Sequence, residues 1–364
     1  MSNVYKTTIE LPSVYYVAKI GGSRLRGAAD YLRMAELAIK LQARVIIVSA
    51  MRGVTDELAR VIREHDEEGF KDLVSYLEEV AIKYAANKDM EEWVDESLGA
   101  FSKLKEGCRD PQLVDEILAL GERASMTVMK SALEELGLRS VALDGGEAGI
   151  VTDEAFTRAR PLIRESRSRI RRRLIPLLEE GYTIVVAGFT GRTLDGRTTT
   201  MGRGASDLTA TLVASALNTS RLYLVTNTPY LMSADPQLIP EAVPIREAGI
   251  VEVDAMANLG VKKFHPLTFR PLIGLECEVL VGSNPPEGTR IYWGMPPPDL
   301  KTVSIVKGSL AFIGRKAGEL AKIVAEELTL PLLEAGEVYF KLGPLRGEPI
   351  NTLREAHEVM RRYW

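Results

Sequence analysis

The apolar run Val14–Ile20, broken off by Gly21-Gly22, reads as a buried strand, and it sets the terms for everything downstream. Leu32, Ala35, Leu37, Ala38 and Leu41 then recur at helical spacing. Val45-Ile46-Ile47-Val48 follows as a second continuous apolar run, of the kind covered on both faces. Strand, helix and strand in such quick succession point to a parallel pair, and crossovers of this type are right-handed almost without exception. An α/β fold around a mainly parallel sheet is the expectation.

More strands are expected at Ser140–Leu143, Thr183–Ala187, Arg221–Val225 and Glu278–Val281, separated by helical stretches near Leu162–Glu179 and Asp207–Leu217. Between Glu57 and Leu136 the pattern is charged and helical with few turn signals, which suggests a helical lobe inserted into the sheet domain. A stretch rich in proline and glycine, Asn284–Asp299, is the natural domain boundary. We therefore divide the chain into a large domain, 1–290, and a small one, 291–364. The small domain reads as strand Thr302–Val306, helix Arg315–Leu328, strands Pro331–Leu333 and Val338–Leu342, and helix Asn351–Tyr363. That βαββα order suggests a compact α+β module.

Composition narrows the function. With 46 basic and 50 acidic residues in 364 the net charge is −4, too balanced for a nucleic-acid footprint. Cys108 and Cys277 lack CxxC spacing, and His65, His265 and His357 are far apart, so no protein-built metal centre is expected. No signal peptide pattern and no run of about 18 apolar residues occurs, which makes a reducing cytoplasm the default location.

Four stretches combine glycine, charge and a position between elements. In Lys19-Ile20-Gly21-Gly22-Ser23, glycines at a strand end let backbone N–H groups approach phosphate oxygens, and the lysine adds charge at the same mouth. No GxxxxGK[ST] loop occurs, so this is not a Walker A site. Arg197–Asp207 brings three threonines, two glycines and two arginines to a helix start, more than a start requires, and suits an anionic ligand. The plainer role for Ser206 or Asp207 is a helix cap. Leu120-Gly121-Glu122-Arg123 lies in an apolar helical segment, where a glutamate is ordinarily a solvated residue. Gly260–Pro266 carries paired lysines before a proline, commonly surface charge, and gains interest only if they face Lys19.

Together, in order, the stretches KIGGS, VSAMRGVTDEL, LGE, GIVTDEAFTRARP, GFTGRTLDGRTTTMGRGASD, TNTPYLMSADPQ and GVKKFHP resemble the aspartokinase branch of the amino-acid kinase family, from about Val14 to Val281. The resemblance implies an open αβα sandwich with ATP and Mg²⁺ as phosphoryl donor and an amino acid as acceptor. It assigns Lys19, Gly21, Gly22 and Ser23 to the ATP phosphates and Thr226, Asn227, Met232, Gln237, Lys262 and Lys263 to the surroundings of the nucleotide. Ser49, Thr55, Glu122, Arg203 and Ser206 fall to the amino acid. Lys19, Asp207 and Lys262 become the catalytic set, with the aspartate orienting both lysines. Glu122 would pair with the acceptor's ammonium and Arg203 with a carboxylate.

An aspartate side chain is ionised at neutral pH, so no general base is needed. A hydroxyl acceptor such as homoserine or serine would need one, and Asp207 is the obvious candidate. A non-catalytic amino-acid-binding subunit is the reading from another class. The chain departs from the family pattern at Ser23-Arg24, where Thr-Ser is usual, and at Thr226–Tyr230, where TDVDG is usual. Met232 and Gln237 stand where tyrosine and arginine are common. Residues 301–364 resemble one ACT-type regulatory module, and such modules imply a homodimer or higher homo-oligomer.

Overall fold

The computed structural model describes residues 15–84, 86, 88–261, 264–294, 300–345 and 347–362. β1 (Tyr16–Ile20), α1 (Ala28–Lys40) and β2 (Ala43–Val48) form the opening unit. The helical lobe follows as α2 (Val54–Glu64), α3 (Glu67–Ile82), α4 (Glu91–Lys105) and α5 (Pro111–Glu135). Next come β3 (Ser140–Leu143), α6 (Ile163–Glu179), β4 (Thr183–Ala187) and the hairpin of β5 (Thr190–Arg192) and β6 (Thr198–Thr200). Then follow α7 (Ala205–Leu217), β7 (Arg221–Val225), the short pair β8 (Leu231–Met232) and β9 (Pro244–Ile245), β10 (Glu247–Gly249) and α8 (Ile250–Leu259). β11 (Glu278–Asn284) and β12 (Glu287–Tyr292) complete the large domain.

Eight of these strands make one sheet in the order β10-β12-β11-β7-β1-β2-β4-β3. Every neighbouring pair is parallel except β11–β12. The period of two along each strand feeds two separate cores. Ala18, Ile20, Ile46, Val48, Val185 and Ala187 pack under α1, α5 and the lobe. Val17, Val45, Ile47, Ile184, Val186, Leu222 and Leu224 pack under α6, α7 and α8 on the other side. The molecule is thus the open αβα sandwich expected, with the helical lobe inserted between β2 and β3.

The boundary stretch needs revision in detail. Glu287–Tyr292 forms β12, which pairs with β11 and β10, so the large sheet runs past position 290. Proline and glycine there mark a hairpin turn as well as a connection between domains.

The small domain contains β13 (Leu300–Val306), β14 (Ser309–Gly314), α9 (Ala317–Glu327), β15 (Leu332–Ala335), β16 (Tyr339–Leu342) and α10 (Pro349–Arg362). Its antiparallel sheet has the order β13-β14-β16-β15. The sequence reading omitted β14, so the order is ββαββα rather than βαββα. All six residues of β14 are buried. Lys307 and Gly308 both take positive φ, 48° and 75°, as a two-residue hairpin turn requires.

The two domains share a core. Ala234 and Ile239, between β8 and β9, pack with Val303, Leu310, Phe312 and Leu320 of the small domain. Ser233 is clamped from that side: its carbonyl accepts from Val303 N–H at 2.9 Å and Thr302 Oγ1 at 2.8 Å. Its hydroxyl lies 3.2 Å from His357 Nε2 on α10.

Candidate active site

In the sheet order, β1 stands between β2, reached through α1, and β7, reached only after the remaining crossovers. Such a switch point opens a crevice at the carboxyl ends of the strands. Lys19, Ser49, Gly188 and Thr226 all lie at or just beyond those ends.

Lys19 shares a face with Val17, two residues earlier, and Val17 belongs to the core beneath α7. That alternation aims the lysine at the first turn of α7, where its Nζ is 2.9 Å from Asp207 Oδ1. Both side chains are only 12% exposed. A buried ion pair contributes little net stability once desolvation is included, so folding alone gives small reason for it. Asp207 is not the cap of α7. The cap is Gly204, in a left-handed conformation with φ 79°, and Ser206 and Asp207 sit inside the first turn. Their side chains are therefore free for another role. Along α7, Thr209, Thr211 and Ser215 return their hydroxyls to carbonyls of the preceding turn, which suits a helix buried on nearly all sides.

Between these groups lies the glycine turn. Gly21 N–H donates to Val225 O at 3.0 Å, tying the turn to β7. A Cβ on Gly22 would come within 2.3 Å of Ala50 O, and one on Gly21 within 3.4 Å of Lys19 Nζ. Only glycine fits at 22. Ser23 is half-buried in the short 3-10 turn Gly22–Arg24, where Arg24 N–H closes back on Gly21 O at 2.9 Å.

The opposite wall comes from α2 and α5. Asp110 caps α5 by accepting from Gln112 N–H at 2.9 Å, with Pro111 at the first helical position. Gly121 lets α5 approach the chain after β2, since a Cβ there would be 2.9 Å from Ala50 Cβ. Glu122, next in the helix, is thereby buried at the crevice, 3% exposed. Its Oε2 is sealed from solvent and has no hydrogen-bond partner among the described residues. Burial pushes its carboxyl up to about 8, against the opposing pull of the Ala50 backbone, its own backbone and the Lys19 charge. A buried carboxyl oxygen without a hydrogen-bond partner is costly and is commonly a site feature.

Ser49 is half-buried, its N–H bonded to Ile20 O at 3.1 Å beside the tip of β1. Thr55 lies in the first turn of α2, just after the left-handed Gly53. Ser206 is buried, and Gly188 admits it: a Cβ at 188 would be 2.7 Å from Ser206 Oγ. Arg203 lies at the rim, near the start of α2. Its side chain is 81% exposed and pairs with Asp56 Oδ1 at 2.6 Å, so the two charges bridge α2 and the turn before α7.

Among the residues the resemblance assigns to the nucleotide, Thr226 N–H donates to Gly282 O at 3.0 Å, and Asn227 is exposed. Met232 lies in β8, and its carbonyl accepts from Thr302 Oγ1 at 3.4 Å. Gln237 is exposed in a turn held by Asp235. Lys262 and Lys263 lie outside the described residues.

Sequence reasoning passed over two groups around the crevice. Phe189 takes φ 65°, rare for a non-glycine residue, and its N–H is held by Thr209 Oγ1 at 3.2 Å. The Gly-Phe dipeptide after an apolar run was the available signal. Arg123, 1% exposed, joins Asp144 at 3.2 Å and Glu96 and Glu116 at 3.3 Å, with Trp93 stacked 4.2 Å from its guanidinium. Nothing in a lone arginine on an apolar helix announces such a network. Among the described residues no three His, Cys, Asp or Glu groups are arranged to hold a metal ion, and no helix is long and apolar enough to cross a membrane.

The fold is an αβα sandwich whose strand tips gather Lys19, the Gly21-Gly22 turn and Asp207 in one crevice. Residues 15–283 match the amino acid kinase family, and the chain belongs to that family. It is 29% identical over 277 residues to lysine-sensitive aspartokinase 3 of Escherichia coli, a match covering 74% of this chain and 61% of that relative. Aspartokinase of Geobacillus stearothermophilus is 37% identical over 153 residues, 42% of this chain and 36% of that protein. The matches thus span less than two thirds of these curated relatives. In three dimensions the chain is similar to E. coli aspartokinase III in complex with aspartate and ADP, with TM-score 0.74 at 24% identity, covering 95% of this chain and 84% of that one. Clostridium acetobutylicum aspartate kinase gives TM-score 0.70 at 12% identity over 96% and 100% of the two chains.

Proposed function

We propose that the protein transfers the γ-phosphoryl group of ATP to the side-chain carboxylate of L-aspartate, giving 4-phospho-L-aspartate and ADP. One observation carries the reading. A lysine fixed by an aspartate stands at a glycine turn, and across the crevice a buried oxygen of the Glu122 carboxyl lacks a hydrogen-bond partner. The first half suits phosphate and the second an ammonium group, which together describe ATP and an amino acid. The aspartokinase relatives support the same choice.

In this reading Gly21, Gly22 and Ser23 receive the phosphates, and Lys19 meets the charge developing on the transferred group. Phosphoryl transfer asks little covalent chemistry of a protein and much positioning and positive charge. Asp207 keeps the Lys19 ammonium aimed at the crevice. Lys262 is assigned as the second cation, and Lys263, Thr226, Asn227, Met232 and Gln237 as the surroundings of the nucleotide. Mg²⁺ would be held mainly by the phosphates and would neutralise charge on the transferred group. Glu122 takes the α-ammonium, Ser49, Thr55 and Ser206 take polar atoms of the amino acid, and Arg203 leaves Asp56 to meet a carboxylate. An oxygen of the substrate's side-chain carboxylate then bonds to the γ-phosphorus as the bond to ADP breaks.

The acceptor needs no base, and that favours aspartate over a hydroxyl amino acid. Asp207, the obvious base, is already engaged by Lys19. Residues 301–364 are assigned as an ACT-like regulatory and dimerisation module. Support comes from the small antiparallel sheet and from its edge strand β15, whose four residues are all exposed.

The test is ADP release with aspartate, homoserine and serine in turn, plus hydroxylamine to trap an acyl phosphate. Aspartate-dependent ADP release with hydroxamate formation is expected. Turnover with homoserine or serine, and none above blank with aspartate, would refute the assignment.

A further inference from the structure

Asp115 lies fully buried on α5, two helical turns before Glu122, and nothing above gives it a task. No ion pair reaches it among the described residues. Its carboxylate instead collects neutral donors from two other segments. Thr200, at the end of β6, gives both its N–H, 2.9 Å from Oδ2, and its hydroxyl, 2.5 Å from Oδ1. Thr157, in the loop after β3, gives its N–H to both oxygens at 2.9 Å.

A buried carboxylate with no cation beside it is a costly anchor even when hydrogen-bonded, and burial pushes this one up to about 6 despite its donors. What it holds is itself strained, for Thr157 takes φ 67°. The held segments flank one turn. Ala159 N–H donates to Thr200 O at 3.0 Å, and Met201 N–H to Phe189 O at 2.9 Å. Thr157 O lies 3.7 Å from where a Cβ on Gly202 would stand. Immediately after come Arg203 and Ser206.

We propose that Asp115 is a positioning residue for the amino-acid half of the site. It ties the turn 201–206 to the same helix that carries Glu122, so that the groups meeting the two ends of the amino acid share one rigid support. Positions 115 and 122 are seven apart, hence on nearly the same face of α5 and about 10 Å apart along its axis. The Lys19 and Gly21-Gly22 half of the crevice rests on β1 and β7 and does not depend on this tie. The proposal rests on the kinase reading for the identity of the amino acid, but the tie itself can be read without substrate.

The experiment compares Asp115→Asn, Thr200→Val and Thr200→Ser with the parent chain. In Asp115→Asn the amide nitrogen faces N–H donors, so the aspartate KM should rise about tenfold or more, the factor carried by lost hydrogen bonds to a charged group. The KM for Mg-ATP should stay within about twofold, since its contacts lie on other elements. Thr200→Val should raise the aspartate KM less, and Thr200→Ser, which keeps the hydroxyl, should restore it. Hydrogen exchange without ligands should accelerate at 155–160 and 198–204 in Asp115→Asn and Thr200→Val. Unchanged exchange there overturns the tie. Faster exchange with an unchanged aspartate KM, or equal losses for both substrates, overturns the positioning role. If Asp115→Asn does not fold, the two Thr200 variants decide alone. A parent chain inactive with aspartate refutes the kinase assignment instead, and the exchange data still judge the tie.

Discussion

Glu122 shows what a single side chain can report about this site. Its carboxyl, held up to about 8 by burial, is mostly protonated at pH 7 in the empty protein. An ammonium ligand needs the ionised form, so binding must release a proton from it. Affinity for aspartate is therefore expected to rise from pH 6 to about pH 8 and then level off. Calorimetry at pH 7 in buffers of different ionisation enthalpy should find net proton release on binding. Glu122→Gln should abolish both the release and the pH slope, and a release that survives the substitution would contradict the assignment. Stability of the empty protein runs the other way. A folded-state value raised above the ordinary 4.5 favours the folded protein at low pH, and that contribution fades as pH climbs through about 8. Little of this was legible in the sequence, where a glutamate in a helix ordinarily faces water. Its burial depends on Gly121 and Ala50, which meet only once α5 has packed against the chain after β2.

The elements around the site were easier to read than the side chains. The strands that build the large sheet's centre are mostly apolar, and their parallel order follows from the helices between them. β14 and β12 escaped because one lies in a short hairpin and the other within a stretch whose prolines suggested a linker. The Lys19-Ile20-Gly21-Gly22 junction alone was a weak signal, because a strand ending in two glycines is commonly just a turn, though glycine also permits a close backbone neighbour. That neighbour is Ala50 O, 2.3 Å from any Cβ placed at 22. Gly22→Ala should push the turn away from the strand tips, and a shift near 1 Å at a reacting centre costs roughly hundredfold in rate. Steady-state kinetics should show the loss chiefly in kcat/KM for Mg-ATP. An alanine protein with parental kcat/KM would mean that the turn does not hold the phosphates.

At the scale of the whole molecule, the small domain is bound into the large one through Ser233, Ala234 and Ile239, so the segment 231–243 shares its core. That coupling had no signal in the sequence, because it joins residues more than 60 positions apart. The sheet of the small domain ends in β15, where Leu332 and Leu333 stand 57% and 49% exposed. Exposed strand edges with apolar side chains invite pairing, and a second copy is the proposed partner. Light scattering at micromolar concentration should give twice 40.1 kDa, falling to the single-chain mass in Leu332→Lys. A monomer from the start would contradict it. The central claim is that Lys19, fixed by Asp207 beside the glycine turn, carries phosphoryl transfer to an amino acid. Its most direct test is kcat for aspartate-dependent ADP release in Lys19→Ala, with circular dichroism confirming the fold. A fall of about 10²- to 10³-fold is predicted, the cost of removing one charge-stabilising donor; a kcat within a few-fold of the parent chain would contradict the account.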